Sequence, residues 1–290
     1  MKQMRNLLFI LVLAFGAVSV SQATVIDFES FSLNDVVSGP GVFPDVVFTA
    51  GSQDIAVNNN AALLGPAFGG NNCVRAVPNF SHTDPFRADF LVTVDSVSVV
   101  MGDNGGDDDA LYLTAYDVFN NPIASDANVL PLNVKGGLIL TVSAAGIDHV
   151  IFGSLQTDFV DPNPNSIYWD NFSYFKTVYI AIKPEGDLNL INPKSHGKIP
   201  VAILSTEEFD APDLVDRDSL TFGATGDEGS LAFCSKPWDV NDDGLKDLAC
   251  HFYAQSAGFE CGDTTGTLKG TTKQGTTIVG IDSVRIVPCK

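Results

Sequence analysis

The run Asp239-Val240-Asn241-Asp242-Asp243-Gly244-Leu245-Lys246-Asp247 presents oxygen side chains at its first, third, fifth and ninth positions. Gly244 stands at the sixth, and Leu245 at the seventh can offer its backbone carbonyl. Calcium takes about six to eight oxygen ligands in flexible geometry, and glycine permits the sharp turn that wraps a chain round the ion. The spacing predicts a calcium site made by Asp239, Asn241, Asp243, the Leu245 carbonyl and Asp247, with Asp242 facing water. Without a cation the three ligand carboxylates repel one another, by roughly 4 kcal/mol for a pair at about 4 Å and an effective dielectric of about 20. The alternative is an Asp/Gly turn that holds no metal.

Two smaller acidic groups invite the same question. Asp27 and Glu29 flank Phe28 near the start, and Asp170 precedes Asn171-Phe172 much later. If the strands carrying them lie side by side, as the first and last strands of a jelly roll can, the carboxylates share one structural cation. Asp103, Asp107, Asp108 and Asp109 surround Gly105-Gly106. That loop reads either as a third cation site, through Asp103, Asp107 and Asp109, or as a solvated acidic turn. Tyr112, Tyr116, Tyr168 and Trp169 are candidates for stacking on sugar rings, against packing on a sheet face. Catalytic signals are sparse. The four His are not in an H-E-x-x-H arrangement, and no G-x-S-x-G occurs. Ser195-His196 reads as a surface loop, since a triad is assembled in space rather than in sequence. Glu207-Glu208 reads as a helix start, with Ser205 as its cap, rather than as the carboxylate pair of a glycosidase.

Composition narrows the scaffold. The chain of 290 residues holds 35 acids against 16 Lys and Arg, a formal charge of −19. Twenty-nine of the acids are Asp and six are Glu. Asp favours turns, caps and hard-cation loops, whereas Glu is a helix former. With 26 Gly and 15 Pro, this skew points to an all-β protein. The charge argues against nucleic acid or an anionic membrane as partner, because phosphate binding needs clustered Lys and Arg.

Residues 1–23 read as a secretory signal peptide. Lys2 and Arg5 precede the apolar run 7–20, too short to span a bilayer, and Ser21-Gln22-Ala23 suits cleavage. The mature chain is expected to be extracellular or at the cell surface, with no membrane insertion. Secretion makes disulfides available to the five Cys. Pairing order is not derivable from spacing. Cys261–Cys289 and Cys234–Cys250 are the favoured pairs, leaving Cys73 alone, with buried free thiols as the alternative.

A boundary near 176/177 follows from charge: 24–176 holds four bases and 18 acids, 177–290 ten bases and 17 acids. Alternation and Gly/Asn/Asp/Pro punctuation predict strands at 25–28, 42–48, 86–94, 96–101, 111–116, 129–132, 138–142, 150–152 and 166–175. A second set falls at 178–182, 200–204, 220–222, 248–252, 264–268, 276–279 and 283–287. The expectation is two β-sandwich domains, 24–176 jelly-roll-like and 177–290 a small β domain with the calcium loop.

Position twelve of the loop, where an EF-hand has its Glu, is Cys250, and a strand rather than a helix is expected after it. The loop therefore resembles the strand-bounded D-x-[ND]-x-D-G-x-x-D type of integrin propeller repeats. The segment from Val25-Ile26-Asp27-Phe28-Glu29 to Tyr168-Trp169-Asp170-Asn171-Phe172 resembles carbohydrate-binding-module-like jelly rolls of secreted bacterial proteins, which implies structural calcium between its early and late strands. Ile182-Lys183-Pro184, Ile191-Asn192-Pro193-Lys194-Ser195, Gly197 to Leu204 and the loop itself resemble a bacterial and archaeal extracellular domain without an established activity. The expected function is a secreted, non-catalytic, calcium-binding β protein that binds polysaccharide or a cell-surface glycan, with Tyr112, Tyr116 and Trp169 as ligand-binding residues. The alternatives are a structural surface or matrix protein and, third, a polysaccharide-active enzyme.

Overall fold

The computed structural model describes residues 23–289 except 65, 78–83, 104–107, 132, 157–166, 185 and 187. Residues 1–22 of the expected signal segment, and Asp107, therefore lie outside the described residues. The strands are β1 (Thr24–Ile26), β2 (Val46–Thr49), β3 (Asp54–Asn58), β4 (Cys73–Val77), β5 (Phe86–Asp103), β6 (Asp109–Tyr116), β7 (Pro122–Leu130), β8 (Gly136–Gln156) and β9 (Tyr168–Thr177). They continue as β10 (Ile180–Ile182), β11 (Leu190–Ile191), β12 (Lys198–Ile203), β13 (Val215–Gly223), β14 (Leu231–Cys234), β15 (Leu248–Tyr253), β16 (Thr265–Thr272), β17 (Thr277–Ser283) and β18 (Arg285–Ile286). Among the described residues helix is confined to short pieces, including α1 (Ala61–Leu64) and α2 (Ala211–Leu214).

The long strands β5 and β8 build the sandwich. β5 pairs with β2 over 87–90 and with β9 over 96–102. β8 pairs with β6 over 149–156, and its register against β5 slips between Asp89 and Ser96. Bulges let a strand bend and pass from one sheet of a sandwich to the other. One layer is thus β2–β5–β8–β6–β7, and the other runs from the far halves of β8 and β5 through β9 to β1 and β4. Alternate residues of both layers turn inward, and Phe28, Phe48 and Phe152 ring Trp169 at 5.3, 5.0 and 5.2 Å between centroids.

A second core, with Val201, Phe222, Phe252 and Leu268 among its members, lies between the sheet β10–β12–β15–β14 and the strands β13–β16–β17. β17 joins β9 in parallel at Ile278–Lys176 and Val279–Thr177. Hydrogen bonding therefore runs from the first core to the second through one twelve-stranded sheet. Disulfides join Cys234 to Cys250 and Cys261 to Cys289, and Cys73 is a buried thiol. Burial pushes that thiol up to about 12, which keeps it protonated and unreactive.

The stretch expected to start a helix at Glu207-Glu208 is a tight turn. Thr206 and Phe209 exchange backbone hydrogen bonds of 3.0 and 3.3 Å. Phe209 is anchored in the second core, and the helix begins after it. Asp210 caps α2 by accepting from the Asp213 N–H at 3.0 Å, and Pro212 suits a first turn that needs no N–H from it. Ser205 serves the same corner, since its hydroxyl accepts from the Ala211 N–H at 3.0 Å.

Candidate functional site

The outer surface of the first layer brings aromatic and charged groups together. Alternation on β6 sends Leu111, Leu113 and Ala115 into the core and leaves Tyr112, Thr114 and Tyr116 half-buried on the other side. Register then fixes the neighbours. Tyr116 lies opposite His149 on β8, and His149 lies opposite Asp89 on β5. The Tyr116 and His149 rings are nearly parallel at 4.9 Å. Two residues from Asp89 on the same face, Arg87 donates to it through Nε at 2.8 Å and Nη2 at 2.5 Å. This fork holds the Arg87 guanidinium above its ordinary value, chiefly through the hydrogen bond from Asp89.

His149 is 2 % exposed, its Nδ1 lies 2.9 Å from Asp148 Oδ2, and its Nε2 has no partner among the described residues. Asp89, Asp148 and His149 are the one trio among the described residues whose ligand atoms fall within 4.8 Å of one another. Arg87 already supplies the positive charge there, which makes the group a hydrogen-bonding cluster rather than a cation cage. Sequence reasoning missed Arg87, Asp89 and His149. Their only signal was period-two alternation across a stretch interrupted by a bulge.

Trp169 has to be corrected. It is 0 % exposed at the centre of the first core and cannot stack on a ligand. Tyr168 is also buried, and its hydroxyl accepts from Asn60 Nδ2 at 2.9 Å.

β1 and β9 do lie side by side, antiparallel, with Ile26 opposite Phe172. Asp170 next to this ladder is 0 % exposed, and its Oδ1 has no partner among the described residues. Burial first, then the nearby Glu29 and Asp27, push the Asp170 carboxyl up to about 8. Glu29 Oε1 accepts from the N–H groups of Asn71 and Asn72 at 2.8 and 2.7 Å. A Cβ at Gly70 would stand 2.3 Å from that carboxylate, so only glycine lets it reach the turn. Phe28 and Asn171, each next to one of these acids, have left-handed backbones at φ 56° and 47°. Such strain persists only where the surroundings impose it. An orphaned buried oxygen beside two further carboxylates fits a hard cation, although the three acids do not converge within 4.8 Å.

In the loop at 239–247 the side chains fold back on the chain. Asp239 accepts from the N–H groups of Asp243 and Gly244 at 3.1 and 2.8 Å. Asn241 Nδ2 donates to Asp243 Oδ2 at 2.9 Å. Asp247 is 0 % exposed and accepts from Val240 N–H and Ser205 N–H, both at 2.8 Å. The donor set is oxygen-rich, as a hard cation requires, but its carboxylates do not close to within 4.8 Å, and Asp247 already braces two backbone groups. Asp103 and Asp109 are buried, and Asp109 Oδ1 accepts from Ser154 Oγ at 3.0 Å.

A cleft of about 510 Å³ lies elsewhere, between the two cores, and includes Tyr179, Phe119, Glu207 and Glu208. Its two glutamates are neighbours on one turn. Glycoside hydrolysis needs carboxylates on either side of the scissile bond.

No protein-family model matches the chain, and no curated protein matches it. Among solved structures, an arabinose-bound GH51 α-L-arabinofuranosidase is similar over 55 % of this chain and 27 % of its own, at 14 % identity and a TM-score of 0.37. A DUF4465 family protein from Bacteroides caccae is similar over 53 % of this chain and 99 % of its own, at 14 % identity and 0.37. The N-terminal CBM22-1–CBM22-2 tandem domain of Paenibacillus barcinonensis Xyn10C is similar over 91 % and 84 %, at 10 % identity and 0.33. This chain spans about a quarter of the arabinofuranosidase. Scores of this size carry no functional inference, which has to come from the chain's own residues.

Proposed function

We propose that the protein is a secreted, non-catalytic, calcium-stabilised module that binds a polysaccharide or cell-surface glycan on the outer face of β6, β8 and β5. The observation that carries this reading is the row Tyr116–His149–Asp89 with Arg87 forked onto Asp89 and Tyr112 further along β6. A pyranose offers an apolar face of C–H groups and an edge of hydroxyls. Tyrosine rings suit the first. An Arg–Asp fork supplies donors and acceptors for the second, held by each other before any ligand arrives.

Calcium is part of the proposal. Asp27, Glu29 and Asp170 would hold one ion between β1 and β9, supported by the orphaned Asp170 oxygen. Asp239, Asn241, Asp243, the Leu245 carbonyl and Asp247 would hold another. Each ion would supply positive charge that lets packed carboxylates stay ionised. Two disulfides suit an oxidising compartment. No described helix is long and apolar enough to cross a membrane.

Titration of the mature protein against a panel of soluble polysaccharides tests the reading. At least one should bind, and Tyr116→Ala should weaken it by about tenfold or more. Absence of binding across the panel, or equal binding by the variant, would remove this face from the account.

A further inference from the structure

The second core presents an aromatic face that the function proposed above does not use. β14 and β15 pair Phe233 with His251, and their rings stack at 4.6 Å and 22°. Tyr253 is two residues on along β15, on the same face, and Lys198 of β12 lies opposite it. The Lys198 ammonium sits 5.8 Å from the Phe233 centroid and 5.4 Å from that of Tyr253. Phe233 and Tyr253 are 50 % and 48 % exposed. Cys234 and Cys250, the register pair next to Phe233 and His251, are joined by a disulfide. That bond pins the two strands and so fixes the rings before any ligand arrives.

Charge sets this face apart. The segments 188–206, 229–238 and 248–259, which contain β12, β14 and β15, hold no Asp or Glu, in a chain with 35 of them. They do hold Lys194, Lys198 and Lys236. Among the described residues no carboxylate pairs with Lys198. An ammonium held over two rings without a counter-ion is complementary to an anion lying on an apolar platform. With strands about 4.8 Å apart and alternate residues about 7 Å apart along a strand, the patch matches one or two sugar rings. A nucleic acid strand fits less well, because its denser charge would meet the −19 of the whole chain.

We infer that Phe233, His251 and Tyr253, with Lys198, form a second binding site, specific for acidic polysaccharide, in which a uronate ring stacks on the aromatics and its carboxylate meets Lys198. The inference does not depend on the site on β6. Calorimetric titration of the mature protein with hexagalacturonate, alginate oligomers and a glucuronate-bearing xylan oligomer, with a neutral galactan oligomer and oligo-dT alongside, tests it. At least one uronate oligomer should bind more tightly than the neutral one. The Phe233→Ala/Tyr253→Ala double variant should weaken it by about tenfold or more. Lys198→Gln should weaken it by roughly threefold to tenfold and remove most of its salt dependence. Both variants alter exposed side chains, and unchanged near-ultraviolet circular dichroism confirms their folding. Failure of every uronate oligomer to bind, or preference for oligo-dT, would overturn the site. So would uronate binding that survives the double variant and falls in Tyr116→Ala; that outcome would leave the function proposed for β6 standing.

Discussion

Asp170 shows how much one side chain can demand of its surroundings. A carboxylate with no exposure and two acidic neighbours is stable only if it is neutral or paired with a cation. In chelator the folded protein keeps the Asp170 proton up to about pH 8, whereas the ordinary value is 3.8. Between those limits the unfolded chain binds fewer protons than the folded one. Stability should therefore fall as pH rises through that window and level off above it. The effect should be on the order of a few kcal/mol. Asp170→Asn should flatten the slope, and calcium should do the same in the wild type by favouring the ionised form. A chelated wild type whose melting temperature holds steady from about pH 5 to about pH 8 would refute this account. The types and spacing of Asp27, Glu29 and Asp170 were legible in the sequence, and so was the pairing of first and last strands. The inward orientation of Trp169 was not. β9 is buried on both faces along nearly its whole length, so it lacks the alternation that tells inside from outside.

The segment 239–247 joins its oxygens to two different tasks. Asp247 holds Val240 and the buried corner at Ser205 whether or not an ion is bound. Among the described residues Asp243 accepts only from within the loop, from Asn241 Nδ2 and the Leu245 N–H. Asp247→Ala should therefore destabilise the protein in chelator as well as in calcium, by about 2–4 kcal/mol, because two backbone donors lose their acceptor. Asp243→Ala should instead abolish most of the calcium-dependent rise in melting temperature and leave the chelated melt in place. Asp242→Asn should keep the rise, as asparagine tolerates the left-handed φ of 62° at that exposed position. Thermal melts of the three variants with and without chelator decide this, and equal wild-type melts in both conditions would dismiss the ion. The turn-forming Gly244 and the strand after the loop were readable from spacing. The long strands were not. The bulge between Asp89 and Ser96 and the left-handed Gly146 at φ 76° break the period of two, so β5 and β8 each read as two shorter strands. β3, β4 and β14 escaped notice because strands of four or five residues carry too little pattern.

The two cores are bound by more than chain continuity. Asp45, 3 % exposed, accepts from Tyr174 of β9 at 2.8 Å and from Thr276, just before β17, at 2.9 Å. Burial and then Asp45 hold the Tyr174 hydroxyl well above its usual range, keeping it a donor. Asp95 works from the other side. It accepts from the Thr177 and Gly146 N–H groups at 2.8 Å and pairs with the buried Lys176 at 3.4 Å. Charge and composition could suggest a boundary near 176/177, yet nothing local to the sequence could show that a residue at 45 meets one at 276. That contact depends on β9 and β17 pairing in parallel, a consequence of the whole path of the chain. Because one hydrogen-bonded sheet crosses the seam, the two cores should unfold together in a single calorimetric transition. Asp45→Ala leaves two buried hydroxyls without their acceptor, at about 1–3 kcal/mol each. The Tyr174 bond lies within the first core and the Thr276 bond reaches across to the second, so the loss weakens both the first core and its coupling to the second. The variant should therefore melt several degrees lower and split into two transitions, one for each core. Asp45→Asn, which keeps an acceptor oxygen, should lie between the two. Two resolved transitions already present in the wild type would show that the seam does not couple the cores, and a variant that melts like the wild type would show that Asp45 is not what joins them.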